Sequence, residues 1–205
     1  MKLFRTKKEQ IIMPKGWHQV TLAQYEEVIE SLKGLDDNFV IAWANAIAAV
    51  TGKQPKEILQ QPMATINKQI AQLDFMADTG NQKFVNEFDL CGTTYVCEPQ
   101  INVVSPDRFI FFQKVLAESG PRQKARLLAI FVHPKGKSFD GQDYEQVAEM
   151  LYQHCTCDVL LPMYVFFCNL GKASEEIMRS YLMQTMEGLK QEVNQVLKES
   201  VIQGY

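Results

Sequence analysis

The stretch from Leu35 to Lys53 reads LDDNFVIAWANAIAAVTGK, and it constrains the fold more than any other part of the chain. Phe39, Val40, Ile41, Trp43, Ile47 and Val50 place apolar groups on nearly every side of a helix. Ala42, Ala44, Ala46, Ala48 and Ala49 fill the positions between them. A helix apolar all round must be enclosed by other elements. The stretch is therefore expected to be the central helix of a core, capped at its start by Asp36 or Asp37 and stopped by Gly52.

Neighbouring segments offer the helices to enclose it. In VTLAQYEEVIESLKG, Thr21 and Gln24 have the spacing of a capping box, with Val20 and Tyr25 placed for a hydrophobic staple. Leu22, Tyr25, Val28, Ile29 and Leu32 then form one face, and Gly34 ends it. Pro55 opens a short helical turn, and Ile66, Ile70, Leu73 and Met76 or Ala77 mark another helix running to Gly80. Ser105-Pro106-Asp107 is a cap, a first-position proline and an acid, ahead of a face of Phe109, Phe112, Val115 and Leu116. RQKARLLAIFVHP predicts a short helix up to His133-Pro134, KGKSFDGQ a polar loop, and Tyr144, Val147, Met150 and Leu151 a further helix. VLLPMYVFFC (159–168) reads as a buried core helix, well short of the roughly 18 to 20 residues that cross a bilayer. Finally, Ser174 caps a run in which Met178, Leu182, Met186, Leu189, Val193 and Val196 or Leu197 recur at three- and four-residue steps. A helix of about 26 residues spans about 39 Å.

One stretch departs from this pattern. FVNEFDLCGTTYVCEPQINVVSPDRFIFF (Phe84–Phe112) begins without helical periodicity. Phe84, Asn86, Phe88 and Leu90 share one side of an extended chain, Cys91-Gly92 stands where a tight turn belongs, and TTYVCE is rich in β-branched and aromatic residues. The expected fold is mainly α, a multi-helix bundle with one central β-hairpin insert at 84–98 and a long C-terminal helix. Its expected organisation is a basic N-terminal arm (1–19), a helical core (20–171) and the C-terminal helix (172–205). An isolated hairpin is marginal in water, so this one must cover the helices or pair with another strand.

The totals exclude some functions. A net charge of -3 and a pI near 5.7 argue against a dedicated nucleic-acid binder, except through the arm, where Lys2, Arg5, Lys7, Lys8 and Lys15 oppose Glu9 alone. The basic start is not followed by an apolar signal core, and five cysteines are an odd number, so reduced thiols in a cytoplasm are expected. No membrane partner is expected.

Catalysis and metal binding find no candidate residues. His154-Cys155-Thr156-Cys157 has two cysteines one residue apart and no second pair at zinc-site spacing. No phosphate-cradling, metalloprotease or hydrolase-elbow motif occurs. Glu26-Glu27 and Glu175-Glu176 read as a solvated face and a helix N-terminal turn. A non-enzymatic protein without cofactors is expected. Its contact surfaces are expected on the arm (Lys2, Arg5, Lys7, Lys8), the hairpin edge (Thr94, Val96) and the C-terminal stripe (Met178, Leu182, Met186, Leu189, Val193).

Several segments carry a family resemblance: IIMPKGWHQVTLAQYEEV, AVTGKQPKEILQQ, FDLCGTTYVCEP before SPDRFIFFQKVL, and RLLAIFVHPKG ahead of a tyrosine-bearing helix. Their order resembles small morphogenesis proteins of tailed bacteriophages, including those of crAss-like phages of gut Bacteroidetes. The likeness covers most of the first 150 residues and lies in capping and turn positions, so it transfers no functional residue. It implies a structural protein of virion assembly, a neck (head–tail connector) or tail ring subunit assembled in the host bacterial cytoplasm and retained in the virion. Its implied partners are other virion or assembly proteins and further copies of itself, as a homo-oligomer or ring. The alternatives are a tail assembly chaperone that leaves the particle, and a thiol- or metal-dependent enzyme built around His154, Cys155 and Cys157.

Overall fold

The computed structural model describes residues 11–77, 83–98, 105–118, 120, 122–139 and 142–169. The basic residues Lys2, Arg5, Lys7 and Lys8 and the whole stripe from Met178 to Val193 lie outside them. The chain forms two compact units, Met1–Tyr164 and Val165–Tyr205. In the second, residues 165–169 are helical, with Phe167 buried, Val165 54% exposed and the Phe166 and Phe167 rings edge to face.

The first unit is mostly helical with a small antiparallel sheet. Helices α1 (Leu22–Leu32), α2 (Phe39–Thr51), α3 (Pro55–Leu59) and α4 (Met63–Ala71) build one core. The capping box at Thr21 and Gln24 forms as the spacing requires, each side chain satisfying the other's backbone N–H at 3.3 and 3.0 Å. The α2 helix is capped by Asn38, not by Asp36 or Asp37: its Oδ1 accepts from the Ile41 N–H, which those residues lie too early to reach. Gly52 closes α2 in the left-handed region at φ 66. Ala44, Ala46 and Ile47 have no exposed surface, whereas Phe39 and Ile41 in the first turn are each 47% exposed. Enclosure is thus incomplete at the N-terminal end of α2, and the alanine side is the one that packs most closely. Ile47, Ile58, Ile66, Val20 and Trp17 fill this core, each large apolar side chain contributing about 1.5–3 kcal/mol. Trp17 stands edge-on to Tyr25 and Phe75, with centroids 5.4 and 5.5 Å away. The α4 face does not run on as one helix: it stops at Ala71, and a short 3-10 turn (Asp74–Ala77) follows.

Strands β1 (Glu87–Leu90), β2 (Thr93–Cys97) and β3 (Val132–Pro134) form the sheet in the order β1-β2-β3. Cys91 (φ 50) and Gly92 (φ 78) make the two-residue turn, both in the left-handed region as the twist of such a hairpin demands. Phe88 and Leu90 face inward and Glu87 and Asp89 outward. The third strand corrects the expected helix over RQKARLLAIFVHP. Helix α6 (Gln123–Ala129) ends early, and VHP pairs with Tyr95, Val96 and Cys97. The reason lies in burial, because every residue from Leu127 to Val132 is at most 2% exposed. Six consecutive buried residues suit a helix end, a turn and a covered strand as well as an enclosed helix, and the pairing with β2 selects the former.

Helix α5 (Pro106–Ala117) starts at Ser105, whose hydroxyl accepts from the Arg108 N–H. Phe112 and Val115 are buried on it, but Leu116 is 41% exposed and does not join their face. Helix α7 (Tyr144–His154) is capped by Asp143. Beyond it residues 157–164 are helical, with Leu160 and Met163 buried but Leu161, Pro162 and Tyr164 only half-buried. The segment is one-sided rather than buried all round. Two features tie the halves of the unit together. Thr21 and Thr156 form an antiparallel bridge, with the Cys157 N–H donating to the Val20 carbonyl at 2.8 Å. Glu26 of α1 reaches the start of α6.

Candidate functional site

A cleft of about 650 Å³ lies between the sheet and α7 and brings several chemically capable side chains together. The hairpin turn presents Cys91 to it, β2 presents Tyr95, and α7 presents Glu149, Met150 and His154. Cys91 is exposed. The Tyr95 hydroxyl donates to the Met150 Sδ at 3.4 Å. Burial, reinforced by Cys91, raises the pKa of that phenol, so it stays protonated. No hydrogen bond joins Cys91 to His154, and a nucleophile–base relay needs one. The cleft brings a thiol and an imidazole to one surface without coupling them.

The other thiols of the HCTC stretch serve packing. Cys157 has no exposed surface and belongs to the helical core, and Cys155 is 3% exposed. Burial pushes the Cys155 thiol up to about 12 and raises that of Cys157 as well. His154 is exposed, so it and the two thiols face different environments. Among the described residues no group of three or more His, Cys, Asp or Glu side chains is arranged to hold a metal ion.

A second polar cluster lies where α5 meets β3. Arg108 is 7% exposed; its Nη2 donates to the Ile130 carbonyl and its guanidinium carbon sits 3.3 Å from the centre of the Phe139 ring. His133 packs on the same ring at 4.3 Å, with Nε2 3.3 Å from the Glu98 carboxylate. Burial lowers the pKa of Arg108, opposed by Tyr144 and Glu98. Gln142 closes the cluster by donating to the Val132 carbonyl at 2.8 Å. The cluster clamps α5, β3 and the loop after it.

The expected contact residues of the hairpin are placed differently from a free edge. Thr94 and Val96 lie on the central strand, with β1 on one side and β3 on the other, and the Lys135 N–H donates to the Thr94 carbonyl. Their backbone groups are used, because the strand order places β2 between β1 and β3. Two elements escaped sequence reasoning. Arg108 reads as an ordinary surface arginine in PDRFIFF, and nothing local marks it as buried. Glu26 reads as a solvated face because its partners lie about a hundred residues away. No described helix is long and apolar enough to cross a membrane. Compared with known proteins, the chain matches no family model, no curated protein and no solved structure.

Proposed function

We propose that this protein is a non-enzymatic assembly protein that acts through repeated protein–protein contacts, as a ring subunit at the neck or tail of a phage particle would. The observation that carries this reading is the use made of its reactive side chains. Arg108, Glu26, Lys124 and Arg126 bridge one element to another, and Cys97, Cys155 and Cys157 are packed in cores. The phage assignment is supported by the likeness of the segments between Ile11 and Gly136 to small morphogenesis proteins. Among the described residues β1 and β3 are the outer strands of the sheet, and an outer strand can offer N–H and C=O groups to another copy.

Light scattering after size exclusion, over a concentration series, tests the proposal. A stable multimer, or a mass that grows with concentration, is the expected result. A strict monomer at every concentration would refute the ring-subunit reading.

A further inference from the structure

The cleft between the sheet and α7 gathers two sulfurs and an imidazole. Met150 and His154 stand four residues apart on α7, a spacing that puts both on one helix face, and both line the cleft. Cys91 reaches it from the hairpin turn. The hairpin is tied to that helix face where the Tyr95 hydroxyl donates to Met150 Sδ at 3.4 Å. Burial is the main cause of the raised pKa of Tyr95 and of Cys155, and Cys91 adds to both. An electrostatic effect on both groups sets Cys91 near β2 and near the C-terminal end of α7, where His154 lies. Cys91 and His154 are exposed and Met150 is half-buried, so all three residues are open to solvent.

Two carboxylates of the cleft are already engaged. Asp143 Oδ1 accepts the Glu145 and Gln146 N–H groups as the cap of α7. Glu149 meets Arg122 at 2.7 Å through Oε2 and accepts from Gln153 Nε2 at 3.0 Å through Oε1. What the cleft leaves for a ligand is soft: a thiol, a thioether sulfur with a second lone pair, and an imidazole. Thiolate and thioether donors select copper(I), whereas zinc wants four ligands, mostly thiolates and imidazoles. Charge points the same way. A thiolate with a monovalent cation is neutral, but a divalent ion would leave a positive charge in a cleft that also holds Lys137. The C-terminal end of α7 favours a cation.

We propose that Cys91, Met150 and His154 form a site for a soft monovalent cation, copper(I). The Cys91 thiol releases its proton to solvent as the S–Cu bond forms. Met150 Sδ and one His154 ring nitrogen each donate a lone pair, and the copper stays copper(I) throughout. Tyr95 is a positioning residue, because its O–H takes one lone pair of the thioether and leaves the other for the metal. The inference goes beyond the assembly reading and does not depend on it.

Anaerobic titration of the purified full chain with copper(I), against a chromophoric copper(I) chelator, tests it. The wild type is expected to take up one copper(I) per chain, with sulfur and nitrogen ligands in its copper X-ray absorption spectrum. Cys91→Asn suits the turn, so it should lose the metal and keep the fold. Met150→Leu, close in volume, should weaken binding by more than about tenfold, and Tyr95→Phe by about tenfold, as loss of an orienting partner does. No copper(I) uptake, or uptake by Cys91→Asn equal to that of the wild type, would overturn the proposal. Wild-type affinity in both Met150→Leu and His154→Gln would reveal an exposed thiol only and overturn the three-ligand site. Displacement of copper(I) by equimolar zinc(II) would overturn the choice of a soft monovalent ion.

Discussion

Glu26 offers a direct test of how α1 holds the second half of the unit. Helix α6 begins at Arg122, which lies in the left-handed region at φ 69 and provides no side-chain cap. The cap comes from α1 instead: Glu26 Oε2 accepts the Arg122 N–H at 3.1 Å, while Oε1 meets Lys124 Nζ at 2.8 Å. The Glu26 side chain is 14% exposed and that of Lys124 30%. Removing the carboxylate with Glu26→Ala deletes both links. The hydrogen bond to a charged acceptor is worth about 1.5–3 kcal/mol. The partly exposed ion pair adds about 0.5–1 kcal/mol. The expected loss is therefore about 2–4 kcal/mol, read as a lower urea midpoint at unchanged slope. Lys124→Ala should cost only about 0.5–1 kcal/mol, and Glu26→Gln should fall between, since its amide oxygen still accepts from the Arg122 N–H. A double-mutant cycle separates the terms. If Glu26→Ala costs no more than Lys124→Ala, and the coupling accounts for all of it, the cross-element cap contributes nothing and the reasoning fails.

Two further predictions concern the cysteines. Cys91 holds φ 50 in a turn that favours Asn-Gly, so Cys91→Asn should stabilise the protein by about 0.5–1 kcal/mol; a destabilised variant would show that the thiol makes a contact worth more than the strain. Cys97 and Cys155 are both pushed up from the ordinary 9.0 to about 12, with burial the main cause. The folded state therefore keeps protons that the unfolded chain releases. Stability from these thiols is complete below about pH 9 and falls as pH rises towards 12, by about 1.4 kcal/mol per pH unit for each thiol. The slope of denaturation free energy against pH between 9 and 11 should be shallower in the Cys97→Ala/Cys155→Ala variant, and equal slopes would refute the burial argument.

Local chemistry settled a definite part of this protein. The capping box at Thr21 and Gln24, the proline starts at Pro55 and Pro106, the Cys91-Gly92 turn and the glycine stop at Gly52 are decided within four or five residues. Their partners are sequence neighbours, so the residues that make them are visible in a row. Burial is different, because it depends on what arrives from elsewhere. The apolar run from Leu127 to Val132 fits a helix as well as a strand, and only pairing with β2 divided it at Ala129. The same pairing placed β2 at the centre of the sheet and so took Thr94 and Val96 away from its edge. Polarity misleads in the same way: Glu26 and Arg108 look like surface residues by type, yet each is held by partners distant in the chain. The clefts follow the same rule, since a cavity is formed by the walls that tertiary packing brings together.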